Sequence, residues 1–213
     1  MPAIDFSMYL ITDRTQTKGR PLASVVRAAL EGGVRAVQLR EKDLNGRELF
    51  NVAMELRELT REYGARLIIN DRPDIALAAE ADGVHLGSTS LPVSAVRRIL
   101  GPEHLIGYSA HAVLEARQAD ADGADFVTFG PVYRTPSKAA YGPPLGLEQL
   151  AEAANRLTIP VFALGGVKNT SIAELLTSGA AGIALISAII AADDPQVAAA
   201  NLLKALEQHA IHP

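Results

Sequence analysis

Short apolar runs alternate with longer amphipathic segments along the whole chain. Most of the short runs are continuously apolar, which is typical of strands buried on both faces of a parallel sheet. The longer segments repeat their apolar residues at helical spacing. The pattern predicts strands at residues 8–12, 36–40, 66–70, 83–86, 105–109, 126–129, 161–164 and 182–186. It predicts helices at residues 47–63, 92–100, 112–122, 146–156, 171–178 and 195–209.

This alternation predicts an α/β fold with a parallel sheet and helical crossovers. Eight units favour closure into a single (β/α)8 TIM barrel over residues 1–213, with an open doubly wound sheet as the alternative. One connection departs from the pattern, because residues 130–145 contain four prolines and no helical period. Loops of this length are often functional, so we expect an active-site lid there.

Composition narrows the class of protein. The net charge of −4 gives no broad basic face, so we expect no nucleic-acid partner. No apolar run approaches the roughly 18 residues of a membrane span, and the first residues have no basic segment or long apolar stretch, so we expect no signal peptide. The chain has no cysteine, which excludes thiolate chemistry and fits a cytoplasmic enzyme. We therefore expect a cytoplasmic enzyme that acts on a small molecule.

The last two predicted strands each end in a turn that suits a phosphate. Gly165 and Gly166 follow one strand, and a glycine pair lets backbone N–H groups approach an anion closely. Ile186 and Ser187 follow the other, and a serine that opens a helix offers a hydroxyl and a helix N-terminus. Since active sites lie at the carboxyl ends of barrel strands, these turns predict a phosphate clamp.

The end of the second strand carries polar and cationic residues. Strand alternation places Gln38 and Arg40 on one face, and Lys42 follows just past the end. Burying such groups costs several kcal/mol unless they are paired. The residues therefore indicate a bound anion at the barrel mouth, or else an ion pair between Arg40 and a glutamate.

Further candidates follow the next strands. Asp71 could hold Mg²⁺ or orient a neighbouring base, and the alternative is a helix cap at Asn70 or Asp71, a role that can coexist with these. His85 is either a core histidine or a catalytic one, and Ser90 is a candidate helix cap. His111 is placed just past a strand end, where it could act in proton transfer or binding, or serve as a cap.

The long loop adds two hydroxyls and an ammonium within four residues. Thr135, Ser137 and Lys138 could wrap a phosphate or pyrophosphate. The alternative is a solvated lysine in a proline-rich turn.

Together these residues resemble the thiamin phosphate synthase/TenI superfamily, over residues 8–195. The resemblance is carried by Gln38-Leu39-Arg40-Glu41-Lys42, Asn70-Asp71, Gly83-Val84-His85-Leu86-Gly87, Ser109-Ala110-His111, Gly130-Pro131, Thr135-Pro136-Ser137-Lys138, Gly165-Gly166 and Ile186-Ser187. It implies a (β/α)8 barrel, a phosphorylated thiazole substrate and, as a possibility, a homodimer.

The superfamily contains two activities. In the synthase, a pyrimidine pyrophosphate ionises and the nitrogen of a thiazole phosphate attacks the resulting cation. The resemblance assigns the substrates and their phosphates to Gln38, Arg40, Lys42, Asn70, Ser109, Thr135, Ser137, Lys138, Gly165, Gly166, Ile186 and Ser187. It implies Mg²⁺ on Asp71 and on a second aspartate, but Ser90 stands at that second position.

The TenI branch isomerises a carboxythiazole phosphate, which needs an acid/base pair but neither metal nor pyrophosphate. The resemblance assigns the acid/base roles to Glu41 and His111. Because Ser90 is a poor Mg²⁺ ligand, we favour the thiazole tautomerase without a cofactor, with the Mg²⁺-dependent synthase as the alternative. A third hypothesis, a non-catalytic regulator, is disfavoured by the presence of Glu41 and His111.

Overall fold

Eight parallel strands close into a barrel in the computed structural model, which describes residues 4–135 and 143–209. Each strand pairs with the next along the chain, and the last pairs with the first, so no strand edge is left open. The strands are β1 (Met8–Ile11), β2 (Ala36–Leu39), β3 (Arg66–Asn70), β4 (Gly83–Leu86), β5 (Leu105–Ala110), β6 (Phe126–Phe129), β7 (Val161–Leu164) and β8 (Gly182–Leu185). The predicted TIM barrel is thus confirmed, and the open sheet is excluded.

Helices surround the barrel and return the chain from the end of each strand to the start of the next. Those in the described ranges are α1 (Leu22–Glu31), α2 (Gly46–Glu62), α3 (Pro73–Ala78), α4 (Val93–Leu100), α5 (Val113–Ala121), α6 (Gly146–Arg156), α7 (Ile172–Thr177), α8 (Ser187–Ile190) and α9 (Pro195–His209). The sequence pattern did not predict α1, α3 or α8. The last two are too short for a helical period to stand out. Within residues 4–135 and 143–209, no helix is long and apolar enough to cross a membrane.

Aromatic rings fill the lower interior of the barrel. The rings of Tyr9 and Phe126 meet edge to face with centroids 5.4 Å apart, and Phe126 meets Phe162 at 5.6 Å. Gly107 makes room for them, because a Cβ atom there would lie 2.4 Å from His85 Nδ1 and 2.5 Å from the Phe126 ring. This packing closes the bottom of the barrel and leaves the mouth at the carboxyl ends of the strands.

Two aspartates hold the lower rim together. The Asp82 N–H donates to the Leu67 carbonyl, and its carboxylate accepts from the Leu67 N–H at 2.7 Å and from Arg57 of α2 at 2.5 Å. Asp125 repeats the arrangement with Ile106, at 2.7 Å, and with Arg97 of α4, at 2.5 Å. Each aspartate therefore ties the start of one strand to its neighbour and to an outer helix.

We predict that Asp125→Asn destabilises the protein by about 3 kcal/mol, because it leaves the largely buried Arg97 guanidinium without its carboxylate. The check is urea denaturation followed by circular dichroism. The control is Glu62→Gln, which breaks an exposed ion pair with Arg27 and should cost less than about 1 kcal/mol. Equal losses in the two variants would contradict the role assigned to the lower rim.

Candidate active site

Arg40 leaves β2 at the barrel mouth as a half-buried cation. Its guanidinium makes no hydrogen bond or ion pair with any residue in the described ranges. The positive charge of Arg40 also acts on Asp13. Burial alone would raise the pKa of Asp13, but hydrogen bonds from Thr15 and Gln16, together with the charge of Arg40, lower it. The alternative that Arg40 pairs with a glutamate is therefore wrong, and the cation is available to an anionic ligand.

Glu41, the next residue, turns away from the mouth to the β1–α1 connection. Its buried carboxylate accepts from the Thr12 hydroxyl at 2.7 Å and from the Arg14 N–H at 3.1 Å, and the Arg14 guanidinium lies 3.5 Å away. Thr12 Oγ1 in turn accepts from the Arg40 N–H at 2.9 Å. Glu41 thus joins the ends of β1 and β2 and fixes the backbone that carries Arg40.

Three other polar side chains stand at the mouth without partners among the described residues. Asn70 is the last residue of β3, and Ser109 is the next-to-last residue of β5. Both side chains are half-buried. Lys42 follows β2 and is exposed. Because the carboxyl ends of the strands share one rim, these donors face the same space as Arg40.

Asp71 projects from the same rim. It adopts φ 61°, and its N–H donates to the His85 carbonyl at 3.0 Å, so it does not cap α3. The cap of α3 is Arg72, which makes no capping hydrogen bond with its side chain and pairs with Asp74 at 2.5 Å. The prediction of a helix cap at Asn70 or Asp71 is therefore wrong, and the Asp71 carboxylate accepts no hydrogen bond from the described residues.

Ser90 closes a tight turn after β4. Its Oγ accepts from the Gly87 N–H at 2.8 Å, and its own N–H donates to the Gly87 carbonyl at 3.0 Å. The residue that caps α4 is Pro92, so the predicted Ser90 cap is wrong. No group of three His, Cys, Asp or Glu side chains in the described ranges could hold a metal ion.

The possible metal ligands at the mouth nevertheless fit one common way in which proteins coordinate Mg²⁺. This ion is often held by one or two carboxylates, with substrate phosphates and water completing its shell. Asp71 supplies one exposed carboxylate beside the unpaired Asn70 and Arg40. A Mg²⁺ ion that binds together with a pyrophosphate is therefore compatible with these residues.

His111 lies just past β5 and is exposed. Its ring Nδ1–H donates to the Gly130 carbonyl at 2.5 Å, and its backbone N–H donates to the Glu115 carboxylate at 2.8 Å. The ring therefore holds the start of the β6–α6 connection.

Below the mouth lies a buried polar layer formed by Gln38, Tyr9, His85 and Thr128. Gln38 Nε2 donates to the Tyr9 hydroxyl at 3.0 Å, and the Tyr9 hydroxyl lies 3.4 Å from His85 Nδ1. His85 Nε2 lies 3.2 Å from Thr128 Oγ1. Burial, assisted by the charge of Arg40, lowers the pKa of His85 to about 3. His85 is thus a neutral core histidine, one of the two alternatives left open by the sequence.

The two turns predicted to clamp a phosphate line one cavity of about 100 Å³. Gly165 and Gly166 form one wall at φ 96° and 68°, and their N–H groups donate to no described residue. Ile186, Ser187 and Thr135 also line the cavity. The cavity thus offers free backbone donors where the sequence predicts phosphate binding.

The β6–α6 connection packs directly on this glycine turn. The Tyr133 N–H donates to the Gly165 carbonyl at 3.1 Å, and a Cβ atom at Gly166 would lie 2.7 Å from the Tyr133 Cβ. The Tyr133 hydroxyl donates to Glu174 on α7, and burial together with this bond raises the pKa of Tyr133 to about 12. Ser137 and Lys138, predicted to bind phosphate from the same connection, lie outside the described residues.

Sequence reasoning missed three residues that organise the site. Thr12 and Arg14 hold Glu41, and Tyr133 supports the glycine turn. Thr12 is the last residue of the first predicted strand and Arg14 follows it, so applying the rule of strand ends to β1 would have found both. Tyr133 carries no comparable signal, because its contacts join distant parts of the chain.

Comparison with known proteins identifies the family. Residues 8–189 match the family described as thiamine monophosphate synthase. A Geobacter sulfurreducens protein is 59% identical over 97% of both chains and carries a provisional name of that enzyme. The thiamine-phosphate synthase of Chloroflexus aurantiacus is 44% identical over 95% of this chain and 93% of its own. The solved thiamine phosphate pyrophosphorylase of Pyrococcus furiosus is 39% identical over 96% of both chains, with a TM-score of 0.88.

These names agree with the alternative that the sequence left open, the synthase, and give no support to the tautomerase that we favoured because of Ser90. They agree with the predicted superfamily and with an enzyme of thiamin biosynthesis. The chain belongs to the thiamine monophosphate synthase family.

Proposed function

We propose that this protein is a thiamine phosphate synthase, which joins a pyrimidine pyrophosphate to a thiazole phosphate and releases pyrophosphate. The supporting observation is that the mouth offers two separate groups of free donors. Arg40, Lys42, Asn70 and Ser109 form one group, on β2, β3 and β5. The glycine turn and Ser187 form the other, on β7 and β8. Two phosphorylated substrates require two such groups, whereas isomerisation of one thiazole phosphate requires one.

The reaction needs charge stabilisation more than proton transfer. The carbon–oxygen bond to pyrophosphate breaks, and its electron pair leaves with the pyrophosphate. The thiazole nitrogen then donates its lone pair to the exocyclic carbon cation, and no proton changes hands in either step. The occupied carboxylate of Glu41 is consistent with this chemistry, because it serves as an acceptor for Thr12 and Arg14.

Each group of residues then has a defined role. Arg40 and Lys42 neutralise the charge that develops on the leaving pyrophosphate, which is the largest electrostatic change in the reaction. Asn70 and Ser109 donate hydrogen bonds to the same group or to the ring that bears it. The glycine turn and Ser187 hold the thiazole phosphate so that its nitrogen faces the cation.

Mg²⁺ fits as the cofactor, with Asp71 as its protein ligand. When bound, it would neutralise part of the pyrophosphate charge and so favour its departure. With Ser90 in place of a second carboxylate, the ion depends more strongly on substrate oxygens, so we expect it to bind well only together with the pyrophosphate.

The first of three predictions from this proposal tests the activity itself. The purified protein with both substrates and Mg²⁺ should form thiamine phosphate and pyrophosphate in equal amounts, and EDTA should abolish product formation. Chromatography of thiamine phosphate and a coupled pyrophosphate assay provide the measurement. Isomerisation of carboxythiazole phosphate that resists EDTA, without any thiamine phosphate, would overturn the proposal in favour of the tautomerase.

The second prediction concerns Arg40. Arg40→Ala should lower kcat/KM for the pyrimidine pyrophosphate about 100-fold, because it removes a preorganised charge opposite the leaving group. The KM for the thiazole phosphate should change little. Steady-state kinetics measures both constants, with the exposed Arg117→Ala on α5 as the matched control. Equal effects of the two arginine variants would show that Arg40 acts only through the net charge of the protein.

The third prediction concerns the metal. Ser90→Asp should lower the Mg²⁺ concentration that gives half-maximal activity about tenfold, because a second carboxylate adds charge beside Asp71. Ser90→Asn is the neutral control of similar shape and should leave this concentration unchanged. A Mg²⁺ titration of the initial rate provides the measurement. An unchanged requirement in Ser90→Asp would place the metal away from the β4 turn.

A further inference from the structure

The buried polar layer beneath the mouth is a chain of hydrogen bonds that must run in one direction. It crosses the barrel interior from Gln38 on β2, through Tyr9 and His85, to Thr128 on β6. All four side chains are at most 4% exposed, so water does not substitute for any of these partners.

Protonation states restrict the layer to two arrangements. His85 is 4% exposed and has no carboxylate among its ring partners, so the buried ring is neutral, carries one N–H and cannot donate to Tyr9 and Thr128 together. Burial raises the pKa of Tyr9 far above its ordinary value, so its hydroxyl always has one proton to donate. Tyr9 therefore donates either to His85 Nδ1 or back to Gln38, and the amide of Gln38 turns accordingly.

The charge at the mouth selects between the two. Gln38 and Arg40 lie on the same face of the β2 segment, two residues apart, and the charge of Arg40 reaches His85 from above. A cation above the layer attracts the amide oxygen of Gln38. It therefore favours the orientation in which this oxygen points to the mouth and the amide N–H groups point to Tyr9. This is the observed arrangement, in which Gln38 Nε2 donates to the Tyr9 hydroxyl and Oε1 accepts from no described residue.

The same arrangement orders the rest of the layer. Tyr9, having accepted from Gln38, donates to His85 Nδ1, and His85 Nε2–H donates to Thr128 Oγ1. Gly107 and Phe126 pack against the ring of His85, so closely that a Cβ atom at residue 107 would not fit.

We propose that Tyr9 and His85 are positioning residues, which act in sequence to hold the oxygen of the Gln38 amide toward the substrate. The site then presents a hydrogen-bond acceptor at the floor of the mouth and selects a neutral heterocyclic ring that offers an N–H donor. Tyr9 and His85 influence the ring end of the substrate without contacting its phosphates. The kinetic part of this inference rests on the proposed synthase activity, since that activity supplies the ring.

The first test is spectroscopic and does not depend on activity. Nitrogen-15 NMR of the full chain, labelled at histidine, should show His85 as the neutral tautomer protonated at Nε2. Tyr9→Phe should release this tautomer preference, because His85 Nδ1 loses its donor. A wild-type His85 protonated at Nδ1, or protonated at both nitrogens at neutral pH, would overturn the proposal.

The second test is kinetic. Tyr9→Phe should raise the KM for the pyrimidine pyrophosphate about tenfold, the effect of one misplaced hydrogen bond to substrate. The kcat and the KM for the thiazole phosphate should stay within about twofold of their wild-type values. His85→Leu should behave like Tyr9→Phe. His85→Gln, which can accept from Tyr9 and donate to Thr128, should restore much of the affinity.

A core variant away from the layer controls for general loss of stability. Val96→Ala creates a small cavity on α4 without touching the hydrogen bonds, so it should lower the Tm while leaving both KM values unchanged. A rise in both KM values in Tyr9→Phe, or no rise in either, would show that the layer is structural only. If wild-type protein forms no thiamine phosphate, the synthase proposal fails while the NMR measurement still decides the order of the hydrogen bonds.

Discussion

Closure of the parallel sheet is the constraint on which the rest of the molecule depends. Eight strands that pair in sequence, with β1 against β8, bring all their carboxyl ends to one rim. Residues more than 100 positions apart in the chain, such as Arg40 and Gly166, therefore face one space. Closure also creates an interior that must be filled, and the aromatic rings fill its lower part only because glycines stand opposite them. The mouth is the part of the interior that the rings leave open.

Charged groups and neutral hydrogen-bonded groups lie at different depths in the barrel interior. The deeper layer of Gln38, Tyr9, His85 and Thr128 is buried, uncharged and internally paired. The guanidinium of Arg40 lies above it and has no counter-ion among the described residues. Even a half-buried cation without a partner is costly, so the fold retains a charge that an anionic ligand would compensate. The carboxylate of Glu41, one residue away, is engaged on the other side of the rim and does not neutralise it.

The sequence predicted the scaffold well because the scaffold follows from local patterns. The bounds of β3, β4, β6, β7, α6 and α9 agree with prediction, since continuous apolar runs and helical periods are properties of neighbouring residues. The placement of Gly165, Gly166, Ile186 and Ser187 around one cavity also followed from the rule of strand ends. The partners of Glu41 could not be predicted, because Thr12 and Arg14 lie more than 25 positions earlier and meet it only through closure. The helix cap predicted at Ser90 was wrong because Ser90 binds the backbone of Gly87 in the turn after β4. The alternative of a cap at Asp71 was also wrong, since its backbone N–H donates to His85 on β4 and its carboxylate accepts no hydrogen bond from the described residues. Ser90 led the sequence analysis to favour the tautomerase, whereas the relatives carry the name of the synthase, the alternative that it left open.

The order of hydrogen bonds in the deep layer carries an evolutionary consequence. Its two arrangements use the same four side chains and differ only in which way protons and one amide point. In the inference drawn above, the positive charge of Arg40, which also acts on His85, favours one of them. A related barrel that lost this cation would keep its packing and its floor, yet could present a donor in place of an acceptor. The substrate ring that this barrel prefers can therefore change through a single charge substitution at the mouth, without any change in the core.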